Sequence, residues 1–260
     1  MKLLICLLAV TAARGEIRDV MKRADIEAKF AGLRGVNAVH EKPNYAIEIR
    51  VAEGKPGPPR PAANDQVWFA RRGSAQITLG EARHEISAGD VIHVPRSTPH
   101  QVDPGAGRFE YIAVRIIPEK ADPTEAWRKF YTPRRMPDVV ERATIEETIA
   151  KSDANQPLHA AANFTVNYVI YKGRSGPWEA HRGCVDIYFI YAGTAKAQLG
   201  GMITNPKEDP PGEIRGDAVT GAREHAIAPG DIVVIPRNGV HHMDPGPEKL
   251  GYLLMKVWVE

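Results

Sequence analysis

Cysteine is scarce in this 260-residue chain: Cys6 and Cys184 are the only two. Two thiols cannot build the disulfide framework that staples a small secreted domain. Aromatic residues are also few, at 7%. Neither sign of charge dominates, with 34 basic against 32 acidic residues. That balance removes the electrostatic case for a nucleic-acid or anionic-membrane partner. The apolar run within Met1–Ala13, MKLLICLLAVTAA, is about eight residues, too short to cross a bilayer. One basic residue before it and small residues after it read as a secretory signal, cut after Ala12 or Ala13. A mature chain beginning there is secreted or periplasmic and keeps Cys184 as its only thiol. Without cleavage the protein is cytoplasmic and the run packs on the fold as a strand or helix.

Glycine and proline are plentiful, together about a sixth of the chain, which suits many short strands joined by turns. They also punctuate a repeat. Gly89–Gly105, GDVIHVPRSTPHQVDPG, and Gly230–Gly246, GDIVVIPRNGVHHMDPG, are identical at eight of seventeen positions. Each reads as a Gly-Asp turn, an apolar strand ended by proline, a tight turn, and a histidine opening the next strand. Further pairs extend the repeat: His40 with His159, Gly73 with Gly193, His84 with His225, and Tyr111 with Tyr252. The offset is stable apart from a one-residue insertion before Asp186 and a 21-residue loop, 201–221, found only in the second copy. Periodic self-similarity of this length predicts two copies of one β-domain. The segments expected are a signal at 1–13, a helical segment at 14–39, a first domain at 40–117, a helix-containing linker at 118–155, and a second domain at 156–260. Within the linker, Val139–Lys151 has helical spacing over about three turns.

The spacing Gly-x5-Pro-x4-His in both copies resembles the second conserved motif of the cupins, whose histidine ligates a metal inside a small β-barrel. The first cupin motif runs close to G-x5-H-x-H-x(3,4)-E-x6-G, and Gly173–Gly193, GRSGPWEAHRGCVDIYFIYAG, follows its spacing. Glu179 stands at the first histidine position, His181 at the second, and Asp186 at the glutamate. The resemblance therefore implies an all-β chain of two antiparallel jelly-roll barrels in tandem, a bicupin, with Glu179, His181, Asp186 and His241 around one divalent metal. Two histidines with carboxylates suit Fe, Mn, Ni or Zn. Two of the four residue types depart from the common pattern, so Asp186 reaches the metal directly, through water, or not at all, and Glu179 serves either metal or substrate. The run A-H-x4-D-I-Y, a later G-G, a G-E-I-R-G loop and a final G-D-x4-P resemble a group of small, often exported bacterial cupins of unsettled activity.

In the first copy the same positions hold Arg60, Ala62 and Gln66, leaving only His100. The chemistry is thus expected in the C-terminal barrel. His40, His159, His84, His225 and His100 occur as repeat partners across both copies and read as scaffold. His93, whose counterpart in the second copy is Val234, reads as a strand-surface or interface residue, and His242 should face away from His241. Tyr188, Tyr252 and Lys256 share faces with the candidate ligands and are the substrate-binding candidates. Lys256 would favour an acid if it points inward and is simply solvated if it points outward. The inserted loop offers Met202, Glu213 and Arg215 at the pocket mouth.

Three functions are consistent with these residues. The first is a metal-dependent enzyme, a dioxygenase or an isomerase or lyase, acting on a small acid or sugar-like substrate with Glu179 or His181 moving a proton. The second is a non-catalytic bicupin that binds a small ligand. The third is a structural or storage-like bicupin. A small molecule is the expected partner, and barrel edges leave a homodimer open.

Overall fold

The computed structural model describes residues 20–117 and 132–258. The signal reading of residues 1–13 and the start of the linker lie outside them. The described chain is almost entirely strand, with two short helices, Arg23–Phe30 and Arg142–Lys151. None of its helices is long and apolar enough to cross a membrane.

Two six-stranded antiparallel sheets form the middle of the molecule. One is built from N-terminal strands, chiefly Tyr45–Glu53, Asp65–Arg72, Val91–Val94 and Arg108–Ile116. The other uses Phe164–Lys172, Cys184–Ala192, Ile232–Ile235 and Lys249–Trp258. Their facing surfaces share one apolar cluster in which Phe69 stacks on Phe189, ring centroids 3.4 Å apart. The outer face of each sheet packs on a further sheet of its own half, four-stranded in the first and six-stranded in the second. In the first half Trp68, Ile77, Ile86 and Phe109 fill that space; in the second, Tyr188, Leu199, Ile235 and Tyr252 do so. Covered on both faces, the strands Ile232–Ile235 and Val91–Val94 are buried throughout; the first is continuously apolar, as two-sided burial favours, and the second is apolar except for His93.

Corresponding residues take corresponding partners. Arg60 is opposite His100 as Glu179 is opposite His241. Gln66 is opposite Arg115 as Asp186 is opposite Lys256. Gly73 and Gly193 have φ of 78° and 73°, and a Cβ on either would lie 2.2 Å or 1.9 Å from a backbone carbonyl oxygen. Gly193→Ala combines left-handed backbone strain with that clash. It is expected to cost on the order of 2 kcal/mol or more in chemical denaturation, and a loss below about 0.5 kcal/mol would contradict the geometry.

The N-terminal and linker segments depart from expectation. Residues 14–39 are not helical throughout: the helix spans Arg23–Phe30, and Gly35–Lys42 is already a strand paired with Tyr45–Glu53. Hairpin pairing overrides weak helical spacing there, and the boundary at 39/40 cuts that strand. In the linker the helix is Arg142–Lys151, while Val139–Val140 forms a two-residue strand instead of its first turn. These two segments are also exchanged. Val20–Met21 pairs with Ile232–Ile235 of the second half, and Val139–Val140 pairs with Val91–Val94 of the first. Each following helix is capped by an aspartate of the repeated Gly-Asp turn: the Arg23 N–H donates to Asp231 Oδ1 at 2.7 Å, and the Arg142 N–H to Asp90 Oδ1 at 2.8 Å. Both caps satisfy otherwise orphaned helix donors, giving the Gly-Asp pair of the repeat a physical role.

Candidate metal centre

Trp178–His181 places Glu179 and His181 two residues apart on a strand, hence on one face. Cross-strand pairing sets His241 beside Glu179 and Glu213 beside His181. Asp186 comes from Cys184–Ala192 and Lys256 from the last strand, opposite each other. The structure brings all four candidate ligands together. Glu179, His181 and His241 offer one ligand atom each within 4.8 Å of one another. Asp186 Oδ2 lies 3.3 Å from His181 Nε2 and 3.9 Å from His241 Nε2.

The second nitrogen of each ring is held. His241 Nδ1 lies 3.0 Å from the Gly239 carbonyl; a carbonyl only accepts, so Nδ1 carries the proton and Nε2 presents its lone pair. His181 Nδ1 contacts Glu213 Oε1, which fixes the same tautomer when Nδ1 donates. Both Nε2 atoms are buried without a hydrogen-bond partner. Two aimed lone pairs with a carboxylate between them, each ring oriented from behind, fit a divalent metal.

Asp186 has a second engagement. Both its oxygens lie 3.2 Å from Lys256 Nζ, and Tyr188 Oη donates to Oδ2 at 3.3 Å. Lys256 therefore points inward, as a substrate cation would, but its charge is already matched by Asp186. Burial pushes the Asp186 carboxyl up, yet Lys256 and His181 outweigh it and hold it well below the carboxylate range. Burial likewise opposes ionisation of Glu179, but His241 and His181 bring it to about 2. Burial and Lys256 pull His181 down, whereas Asp186 and Glu213 carry it up to about 9.

These directions set a pH profile for metal-free protein. Depressed carboxylates stabilise the fold above their ordinary range and lose that contribution as pH falls, here from about 4.5 toward 2. A raised histidine stabilises it below 6.5 and loses that contribution as pH climbs toward 9. Melting temperature in chelator is therefore expected to peak between about pH 4.5 and 6.5. Because an ion must displace the His181 proton, the stabilisation added by Zn2+ should grow above pH 7. A flat profile with no growing metal effect would refute both signs.

A cavity of about 420 Å3 opens over these residues, lined by Tyr171, Tyr188, Tyr252, Leu254 and Lys256 on the walls and floor, with Arg174 and Arg215 among the remaining lining residues. Tyr188 and Tyr252 are buried and stacked, centroids 4.6 Å apart. Sequence reasoning placed Glu213 at the pocket mouth, but it is 3% exposed and sits behind His181. The inserted loop reaches it by adding Glu213–Gly216 as a strand against Trp178–His181. Its only signal was a Glu within an insertion beside the motif. Arg215 does lie at the rim, 3.6 Å from Glu179, while Met202 is exposed.

The first half has the same frame with other contents. Gln66 accepts from Arg50 Nη1 and Trp68 Nε1, and Glu48 binds both Arg50 and Arg115. Arg50 stands where the second half has Val169, a cavity wall, so an ion-pair network fills the space. His242 turns away from the centre and stacks on Trp178, centroids 4.4 Å apart. His40 bonds Tyr45 Oη at 2.5 Å, a scaffold role, and His100 Nδ1 lies 3.4 Å from the Thr98 carbonyl.

A family described as AraC-like ligand binding domain matches residues 58–152. No curated protein matches the chain. Among solved structures, a cupin 2 conserved barrel domain protein from Leptotrichia buccalis is similar at 13% identity and TM-score 0.65, covering 94% of this chain and 98% of its own. A salicylate 1,2-dioxygenase from Pseudaminobacter salicylatoxidans is 10% identical with TM-score 0.64, covering 92% and 83%. An oxalate decarboxylase from Lactobacillus farciminis, solved with formate, is 14% identical with TM-score 0.53, covering 86% and 82%. At such identities the likeness is one of fold.

Proposed function

We propose that this cupin-fold chain is a bicupin, two jelly-roll barrels in tandem, whose C-terminal barrel is a metal-dependent enzyme acting on a small carboxylic acid. The observation that carries it is the pair of buried, oriented Nε2 atoms of His181 and His241 converging with Glu179 below a cavity. His181, His241 and Glu179 would hold the ion, with Asp186 beside them; the ion, when bound, supplies Lewis-acid or redox chemistry. The tandem reading is supported by the matched cross-strand pairs of the two halves.

The remaining steps belong to the chain's own side chains. Arg174 would meet the substrate carboxylate at the rim, since Lys256 is already paired with Asp186 and Arg215 with Glu213 and Glu179. Tyr252 and Tyr188, whose hydroxyls burial holds well above their ordinary range, stay protonated; Tyr252 can donate to a substrate oxygen, while the single hydrogen of Tyr188 is engaged by Asp186. Glu179, ionised at neutral pH, can accept a proton and cannot supply one. Both solved enzymes similar in fold carry names built on carboxylic acids, salicylate and oxalate. That agreement favours a dioxygenase or a lyase over a sugar isomerase.

A second reading, a non-catalytic ligand-binding bicupin, is favoured by the AraC-like match over residues 58–152. Export of the mature chain is part of the proposal and rests on Met1–Ala13 alone. Elemental analysis of protein purified without added metal or chelator separates the readings. One equivalent of Fe, Mn, Ni or Zn, absent from His181→Ala and retained in His100→Ala, is the expected result. Metal-free protein that stays folded would overturn the enzyme reading in favour of the binding one.

A further inference from the structure

We propose that His93 and His159 form a second binding site, independent of the metal centre, for a small oxyanion such as phosphate or a carboxylate. The two rings lie at the seam between the halves, centroids 4.7 Å apart, on strands from different large sheets. They are 3% and 5% exposed. With Pro95, Arg134 and Arg135 they line a cavity of about 380 Å3. Both nitrogens of His93, and Nε2 of His159, are buried without a hydrogen-bond partner. A buried polar atom left in that state calls for a bound group.

The proton positions say which kind. The Met136 N–H donates to His159 Nδ1 at 3.3 Å, so Nδ1 is the acceptor and Nε2 carries the hydrogen. Burial, and then His93, keep His159 neutral by lowering it to about 4, consistent with that tautomer. An orphaned N–H donor wants an acceptor, which excludes a metal at Nε2 and suits an oxyanion. His93, in either tautomer, has a ring N–H of its own to offer. Asp65 Oδ1, 3.8 Å from His93 Nε2, is beyond hydrogen-bond length. At the mouth, Arg134 donates to the Pro157 carbonyl and Arg135 to Asp138, and each retains further N–H groups.

Comparison with the other half shows that this polarity is local. The counterpart of His159 is His40, whose Nε2 is satisfied by Tyr45 Oη. At the matching position the second half has Phe164, stacked on His159 without a hydroxyl, ring centroids 4.5 Å apart. The counterpart of His93 is Val234, a buried member of the shared core. The counterpart positions therefore hold a satisfied His40 and a buried Val234, whereas here two unsatisfied imidazoles face a cavity with arginines at its rim.

The decisive variant is Phe164→Tyr, which restores the hydroxyl that the other half uses and should occupy Nε2–H. His93→Val, the residue of the other half, removes the second donor. Titration calorimetry with inorganic phosphate and, separately, acetate is expected to show one site for at least one of them, and which one binds identifies the headgroup. Affinity should fall about tenfold or more in each variant, as the loss of a hydrogen bond to a charged group implies. His181→Ala should leave it unchanged. No binding of either anion, or binding that Phe164→Tyr and His93→Val leave intact, would overturn the proposal. So would loss in His181→Ala, which would place the anion at the metal centre.

Discussion

Lys256→Met is expected to destabilise the metal-free protein by about 3–5 kcal/mol, the range for breaking a buried ion pair from one side. Asp186 is 1% exposed and both its oxygens rest on Lys256 Nζ. Without the ammonium, the carboxylate stays in a space walled by Tyr188 and Cys184, with His181 as its nearest remaining cation. It must then ionise with only His181 to balance it or take up a proton, and either course costs free energy. Removing both charges should cost much less than the single change, because a buried pair roughly offsets its own desolvation. Denaturant melts of Lys256→Met, Asp186→Asn and the double variant measure this coupling. A single-variant loss below about 1 kcal/mol would mean that His181 takes over the pairing, or that water enters.

The largest effect on the metal centre, short of deleting a ligand, should come from Glu213→Gln. The carboxylate contacts His181 Nδ1 and is fixed in turn by Arg215 at 3.0 Å. A carboxylate behind a ligating imidazole sets its tautomer and raises its basicity, and its loss commonly weakens metal affinity by about 10–100-fold. Competition against a chelator of known affinity, with far-UV circular dichroism as a check on folding, reads the change. Unaltered affinity would mean that strand pairing alone orients His181. The same substitution removes one of the charges that raise His181, so the alkaline limb of the metal-free stability profile should move to lower pH.

The all-β character and the grouping of Glu179, His181, Asp186 and His241 were legible because strand geometry is local. Residues two apart share a face, and a repeated turn brings a histidine back beside them. That Arg60, Ala62 and Gln66 replace the ligand positions in the first half was legible in the motif, although the Arg50 network that occupies the space beside them left no mark on it. Glu213 was harder to place, since its register against His181 depends on how an insertion folds back. The inward direction of Lys256 was left open because a last strand can present either face. The exchanged arms escaped notice even though Arg23-Ala24 and Ile26-Glu27 match Arg142-Ala143 and Ile145-Glu146. Periodicity identifies the copies, but it does not say which copy an arm will lie against.

That exchange decides what can be cut apart. With Val20–Met21 completing the sheet of the second half and Val139–Val140 that of the first, the molecule has the connectivity of a domain-swapped dimer written as one polypeptide. A fragment starting at residue 156 would lack the arm that pairs with Ile232–Ile235 and would leave Asp231 with no helix to cap. The smallest autonomous unit is then the two halves together, so a loss of stability in the first half would reach the half that carries the candidate metal centre.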